Sequence, residues 1–157
     1  MNNAFEELET IKEQARYIKY LKHRITELRA KADGATARRA ADEAGAYIQT
    51  SKHYSGAQFE TLIDELEALE TELLNENDKY FEHRSKCLLY LDALPEPLQM
   101  ELTYYRYFCF YSWDQIAKIT GMSRNYLYIP VKKARSILET IPADYVEMKY
   151  QECFSGQ

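Results

Sequence analysis

Few of the side chains able to do acid–base, nucleophilic or metal chemistry stand in a pattern. The histidines are His23, His53 and His83 and the cysteines Cys87, Cys109 and Cys153. His83 and Cys87 are four apart, a spacing that shares one helical face. A metal site needs more than two ligands, so the pair reads as a surface histidine and a packed thiol. Three cysteines with no repeated short spacing are expected to be reduced thiols, not a disulfide framework. No G-x-x-x-x-G-K-[ST], H-E-x-x-H or G-x-S-x-G occurs, so the expectation is no catalytic residue, metal or cofactor, and a protein that is not an enzyme. The chemistry that does stand out is polar recognition. Lys118, Ser123, Arg124, Asn125, Tyr128, Lys132, Lys133 and Arg135 fall within one short stretch. Arginine matches the edge of guanine and asparagine that of adenine, while lysine and arginine neutralise phosphates. The candidate ligand is double-stranded DNA, with Ser123, Arg124, Asn125 and Tyr128 as base readers and Lys118, Lys132, Lys133 and Arg135 as phosphate contacts.

The whole-chain charge argues the other way: 157 residues with 25 acidic and 20 basic side chains carry a net −5. Its distribution answers the objection. Residues 57–94 hold ten acidic and three basic side chains, whereas 112–138 hold Lys118, Arg124, Lys132, Lys133 and Arg135 against Asp114 alone. The acid belongs to one segment and a local +4 to another, so the sum hides which end could approach a polyanion.

The elements that must position these residues are helical. Five glycines and four prolines are few, and 46% of residues are apolar, which suits an all-α chain able to bury a core. Leu8, Ile11, Ala15, Ile18, Leu21, Ile25 and Leu28 recur at spacings of three and four and predict a first long helix. Residues 32–57, with Gly34, Gly45 and Gly56, read as a long connection. Ser55-Gly56-Ala57-Gln58 has the pattern of a capping box, opening a second helix predicted to run to Leu94. Phe59, Leu62, Leu66, Leu69, Leu73 and Tyr80 form its apolar seam, expected to pack on the first helix, on another copy, or on both. Residues 1–92 are thus expected to be a helical hairpin or coiled coil that oligomerises.

Pro95 and Pro97 interrupt the pattern and a new unit, 93–141, begins, followed by a tail at 142–157. Leu98, Leu102 and Tyr105 mark one helix, Ser112-Trp113-Asp114-Gln115 is a second capping box, and Gly121 ends the short helix it opens. Ser123 caps a third helix with apolar positions Leu127, Val131, Ala134 and Leu138. Short helix, glycine turn and second helix make a helix-turn-helix, with Ala117 at the close approach and Ile116, Met122 and Leu127 filling the interior. Seven aromatics between Tyr104 and Trp113 are expected to form the small domain's core, although such a cluster could also stack single-stranded bases. Arg106 among them has two readings, a phosphate clamp or an ion-pair partner.

Ala93-Leu94-Pro95, Tyr105-Arg106-Tyr107, Ser112-Trp113-Asp114-Gln115-Ile116-Ala117, Gly121-Met122-Ser123 and Lys133-Ala134 resemble, in order and spacing, the promoter-reading region four of bacterial sigma factors. The resemblance covers 93–139. With the long-helix front half, the whole is similar to small transcriptional regulators of phages and prophages of Gram-positive bacteria. It implies a small helical DNA-binding domain whose helix after Ser123 lies in the major groove. Pro130 departs from it, standing where the family commonly has a basic residue, and an interior proline predicts a helix split into 124–129 and 131–140.

These readings converge on a cytoplasmic, oligomeric, sequence-specific DNA-binding regulator of transcription in a bacterial host. It should act as activator or repressor because acidic helices replace the parts of a complete sigma factor. RNA polymerase is a further candidate partner. No apolar run approaches the ~18 residues that span a bilayer, and the start, Met1 to Glu7, lacks the pattern of a secretory signal, so no membrane is expected. Two alternatives remain: a small terminase subunit that packages phage DNA, and a protein-interaction module that binds polymerase or a repressor without reading DNA.

Overall fold

The structure, a computed structural model, describes residues 2–43 and 56–155. It is all-α. The helices are α1 (Ala4–Glu43), α2 (Gly56–Leu88), α3 (Pro97–Tyr107), α4 (Trp113–Thr120), α5 (Arg124–Thr140) and α6 (Tyr145–Ser155), with a 3₁₀ segment at Leu89–Ala93. No helix among the described residues is long and apolar enough to cross a membrane. The chain divides into two compact units, Arg16–Asp78, and Met1–Ala15 together with Lys79–Gln157.

The first of these is a two-helix unit. Ile18, Leu21, Ile25, Leu28 and Ala32 of α1 are buried, and Leu28, Ala32 and Leu62 form a cluster on which Ile63, Leu66 and Leu69 pack. The seam of α2 is therefore occupied within the chain by the stripe of α1, with Phe59 and Leu73 half-buried. The acidic face of α2 is also engaged. Arg24 Nη2 lies 2.6 Å from Glu65, Arg29 Nη2 lies 2.6 Å from Glu70, and the Tyr17 hydroxyl donates to Glu72. Each partner of the two ion pairs is substantially exposed, so each pair contributes at most about 1 kcal/mol; together they set which faces meet.

Two boundaries differ from the sequence-based expectation. The connection expected over 32–57 is helical as far as Glu43. One glycine in a helix costs only about 1 kcal/mol, and Gly34 sits among alanines and arginines, which favour helix. The expected capping box at Ser55–Gln58 begins outside the described residues. The second helix, expected to reach Leu94, tightens to 3₁₀ geometry at Leu89, ahead of Pro95 and Pro97, since the residue before a proline is driven out of the helical region.

The second unit joins the start of α1 to everything after Asp78. Asn3 and Glu6 cap α1 reciprocally, Glu6 N donating to Asn3 Oδ1 at 2.9 Å and Asn3 N to Glu6 Oε2 at 3.2 Å. Just ahead of this cap, Ala4 N donates to Ile141 O and Ala143 N to Asn2 O, a short antiparallel bridge that fastens the chain start behind α5. Ala4, Leu8 and Ile11 are fully buried in this unit, as are Cys87, Leu94, Leu102, Ile116, Leu127 and Leu138 within a few per cent. The segment expected as a tail holds α6, whose Val146 is buried. Tyr90 donates its hydroxyl to Ala143 O at 2.8 Å beneath it.

Burial, together with the Glu7 carboxylate nearby, pushes the Cys87 thiol from 9.0 up to about 12, and burial likewise raises the Tyr90 and Tyr107 hydroxyls above their ordinary range. A group with a raised folded pKa favours folding below its unfolded pKa and loses that contribution as pH rises through the folded value. The melting temperature is thus expected to hold up to about pH 9 and fall toward pH 12. At pH 8, a chromogenic disulfide should modify the exposed Cys153 rapidly and Cys87 only after unfolding. Rapid native-state modification of all three thiols would contradict this packing.

Candidate nucleic-acid interface

Helices α3, α4 and α5 pack around Leu102, Ile116 and Leu127, with Leu98, Tyr105, Tyr111, Trp113, Ala117, Met122 and Val131 completing the cluster. The geometry between α4 and α5 is set locally. Ser112 Oγ accepts from Gln115 N while Gln115 Oε1 accepts from Ser112 N, a closed capping box. Gly121 ends α4 at φ +70°, a conformation that glycine takes without strain. The Thr120 hydroxyl donates to Ile116 O at 2.8 Å, which lets a polar residue occupy an otherwise aliphatic position. Ser123 Oγ then caps α5 by accepting from Tyr126 N at 3.2 Å.

The turn before α4 is less conventional. Phe110, not a glycine, takes the left-handed conformation at φ +59°. The amide of Tyr111 reaches back across it to Tyr105 O at 3.0 Å, which closes the chain around the left-handed residue. Arg106 donates to Tyr111 O at 3.0 Å and lies 5.1 Å over the Trp113 ring. In this structure it holds this turn. The aromatics are mostly interior: Phe108 is buried, Tyr105, Tyr111 and Trp113 pack on the cluster, and only Tyr104 and Phe110 lie largely outside.

Helix α5 is continuous through Pro130, against the expectation of a split. The missing amide would have bonded to the carbonyl of Tyr126, which lies on an exposed stretch of the helix where water can take the acceptor. The ring itself is buried with Leu127, Ala134 and Leu138. Proline's usual cost is offset by burying its apolar ring and by solvating the one carbonyl it leaves open.

That buried stripe fixes what α5 presents outward. At 100° per residue, Asn125, Ile129 and Lys132 fall opposite it, Arg124 and Tyr128 on one shoulder, and Tyr126 and Lys133 on the other. All seven are exposed. The predicted readers Asn125 and Tyr128 therefore lie on the outer half of the helix start, with Arg124 exposed on its shoulder, while the Ser123 hydroxyl oxygen is occupied in capping. Arg124 Nη1 lies 3.7 Å from Asp114 across the turn. Of the predicted phosphate contacts, Lys118 is exposed on α4, and Lys132 sits 5.8 Å over the Tyr128 ring. Lys133 borders a shallow cavity with Glu96, Leu98 and Ile129. Arg135 is already engaged, 2.8 Å from Glu139 and 4.5 Å over Phe5, and lies apart from the other three on the shoulder that meets α1. Ile129 was not among the predicted site residues; its spacing from the buried positions alone would have placed it on the outer face.

His83 and Cys87 both face α1. The imidazole nitrogens are 2.7 Å from Glu7 Oε2 and 2.9 Å from Gln14 Oε1, and the thiol points at Glu7 O at 3.9 Å. These contacts tie α2 to the start of α1. No family model, curated protein or solved structure matches this chain.

Proposed function

We propose that this protein is a sequence-specific DNA-binding regulator of transcription, of phage or prophage type, that places α5 in the major groove. The observation that carries the reading is a capped α4, a glycine turn and a capped α5 on whose exposed surface stand Arg124, Asn125, Tyr128 and Lys132. A helix start offering an arginine, an amide and an aromatic ring to a groove, with lysines on its borders, has the components of direct readout and of phosphate neutralisation. The resemblance of 93–139 to sigma region four supports the same use of these helices. Leu66, Leu69 and Leu73 keep part of their surface exposed after α1 has packed. That remainder supports a homo-oligomer, the arrangement that holds two half-sites. The protein then acts in the bacterial cytoplasm, with RNA polymerase as a further partner.

Binding to duplex DNA carrying the gene's own upstream sequence, measured against salt, tests this. With Lys118, Lys132 and Lys133 contacting about three phosphates per protomer, the slope of log affinity on log salt should be about −3. Affinity should then fall roughly fortyfold to sixtyfold between 50 and 200 mM salt. Absence of binding at 50 mM salt would sink the proposal.

A further inference from the structure

Ile129 is the anomaly of the outer face of α5. It is 57% exposed and Tyr128 is 65% exposed, amid Asn125 and Lys132 on what is otherwise a polar surface. The α3–α4–α5 cluster has no use for either side chain, and an aliphatic group left in water forgoes the gain of burial. A groove-facing helix meets one apolar group on base edges, the 5-methyl of thymine in the major groove. Asn125 stands one turn before Ile129, and an amide there suits adenine N6 and N7. The two positions are separated by about 6 Å along the helix, close to two base-pair steps. Lys132, stacked over Tyr128, holds that ring beside Ile129 and brings positive charge to the same patch. Lys133 borders Ile129 in the shallow cavity that Glu96 also lines, and Asp114, the one carboxylate between Ser112 and Leu138, is drawn toward Arg124. An apolar spot with Lys132 and Lys133 beside it complements a polyanion that displays methyl groups.

We infer that Ile129, with Tyr128, reads thymine methyl groups, so that the operator holds a thymine about two base pairs from an adenine read by Asn125. The inference rests on the major-groove reading above and makes it specific. The test starts from duplexes recovered by the full-length protein from a random-sequence pool, in which each thymine is replaced in turn by deoxyuracil, deleting only the methyl. At one thymine the wild-type protein should lose about four-fold in affinity, the equivalent of one buried methyl group at ~0.8 kcal/mol. Ile129→Ala should bind the thymine duplex with the same loss and show no further loss on the uracil duplex. Ile129 is exposed, so this variant should fold; its circular dichroism confirms that. Equal wild-type affinity for thymine and uracil at every position, or a recovered consensus lacking thymine, overturns the inference while leaving DNA binding intact. Failure to recover any duplex at low salt overturns DNA binding itself. If Ile129→Ala then also abolishes self-association or polymerase capture, the apolar patch belongs to a protein interface.

Discussion

Leu8→Ala is expected to destabilise the helix-turn-helix unit by ~2–5 kcal/mol, although Leu8 lies more than 80 residues from that motif in the chain. Its side chain is fully buried, and it belongs to the same compact unit as α3 to α6. The loss combines the transfer free energy of the deleted atoms with the cavity they leave, and α1 cannot collapse into that space while its cap and its bridge to Ile141 and Ala143 hold it. Trp113 is the only tryptophan and packs on the α3–α4–α5 cluster, so its fluorescence reports on this unit. With an m-value of about 1–3 kcal/mol/M, the urea midpoint should drop by roughly 1–3 M. Leu127→Ala, which opens the centre of the cluster, should do the same. Leu74→Ala, at a side chain that is mostly exposed, should stay within about 0.5 kcal/mol of the parent. A midpoint unmoved by Leu8→Ala would remove the start of α1 from this core.

The contrast between Leu8 and Ser112 shows where sequence is informative. The α4–α5 junction is written in neighbours: Ser112 with Gln115, Gly121 at the turn, Ser123 at the next cap, and apolar residues at helical spacing. Each of these interactions closes within a few residues, so the pattern identifies it without knowledge of the fold. The chain start also shows a local pattern, Asn3 with Glu6, but nothing local says that Ala4 will bond to Ile141 or that Tyr107 will donate to Glu9 at 2.8 Å. Pairing across such a separation is decided by which surfaces remain to be covered once the local units exist. Pro130 illustrates a different limit. Its intrinsic cost predicts a break that the helix does not show, because the burial of its ring and the exposure of the stretch holding the carbonyl it orphans reverse the balance. Phe110 is similar: a left-handed residue is easily anticipated at a glycine, not at a phenylalanine whose following residue, Tyr111, is held by Arg106 and by its own hydrogen bond back to Tyr105 O. At the candidate site, contacts distinguish what composition groups. Arg135 counts toward the local charge and is paired with Glu139 and set over Phe5, and Ile129, chemically silent in a charge count, lies on the outer face.

Arg124→Ala is expected to weaken binding to the preferred duplex by ~1–3 kcal/mol, about five- to 150-fold, while leaving binding to unrelated duplexes little changed. The side chain is exposed and its pairing with Asp114 at 3.7 Å joins two solvated groups, so its removal costs at most about 1 kcal/mol of stability. A loss of affinity therefore reports on the complex and not on the fold. The pairing also predicts how the residue works. In the free protein Asp114 holds the guanidinium at the mouth of the α4–α5 turn; on DNA the guanidinium must leave for a base edge, and the carboxylate is left facing phosphates. Asp114→Asn should consequently tighten binding to every duplex, since it removes one like charge from the interface. Lys133→Ala gives the complementary signature, weakening all duplexes alike and reducing the magnitude of the salt slope by about 1. These responses separate the two roles by measurement. If Arg124→Ala weakens preferred and unrelated duplexes equally, Arg124 is a phosphate contact like Lys133, and base reading falls to Asn125 and Tyr128 on the same face.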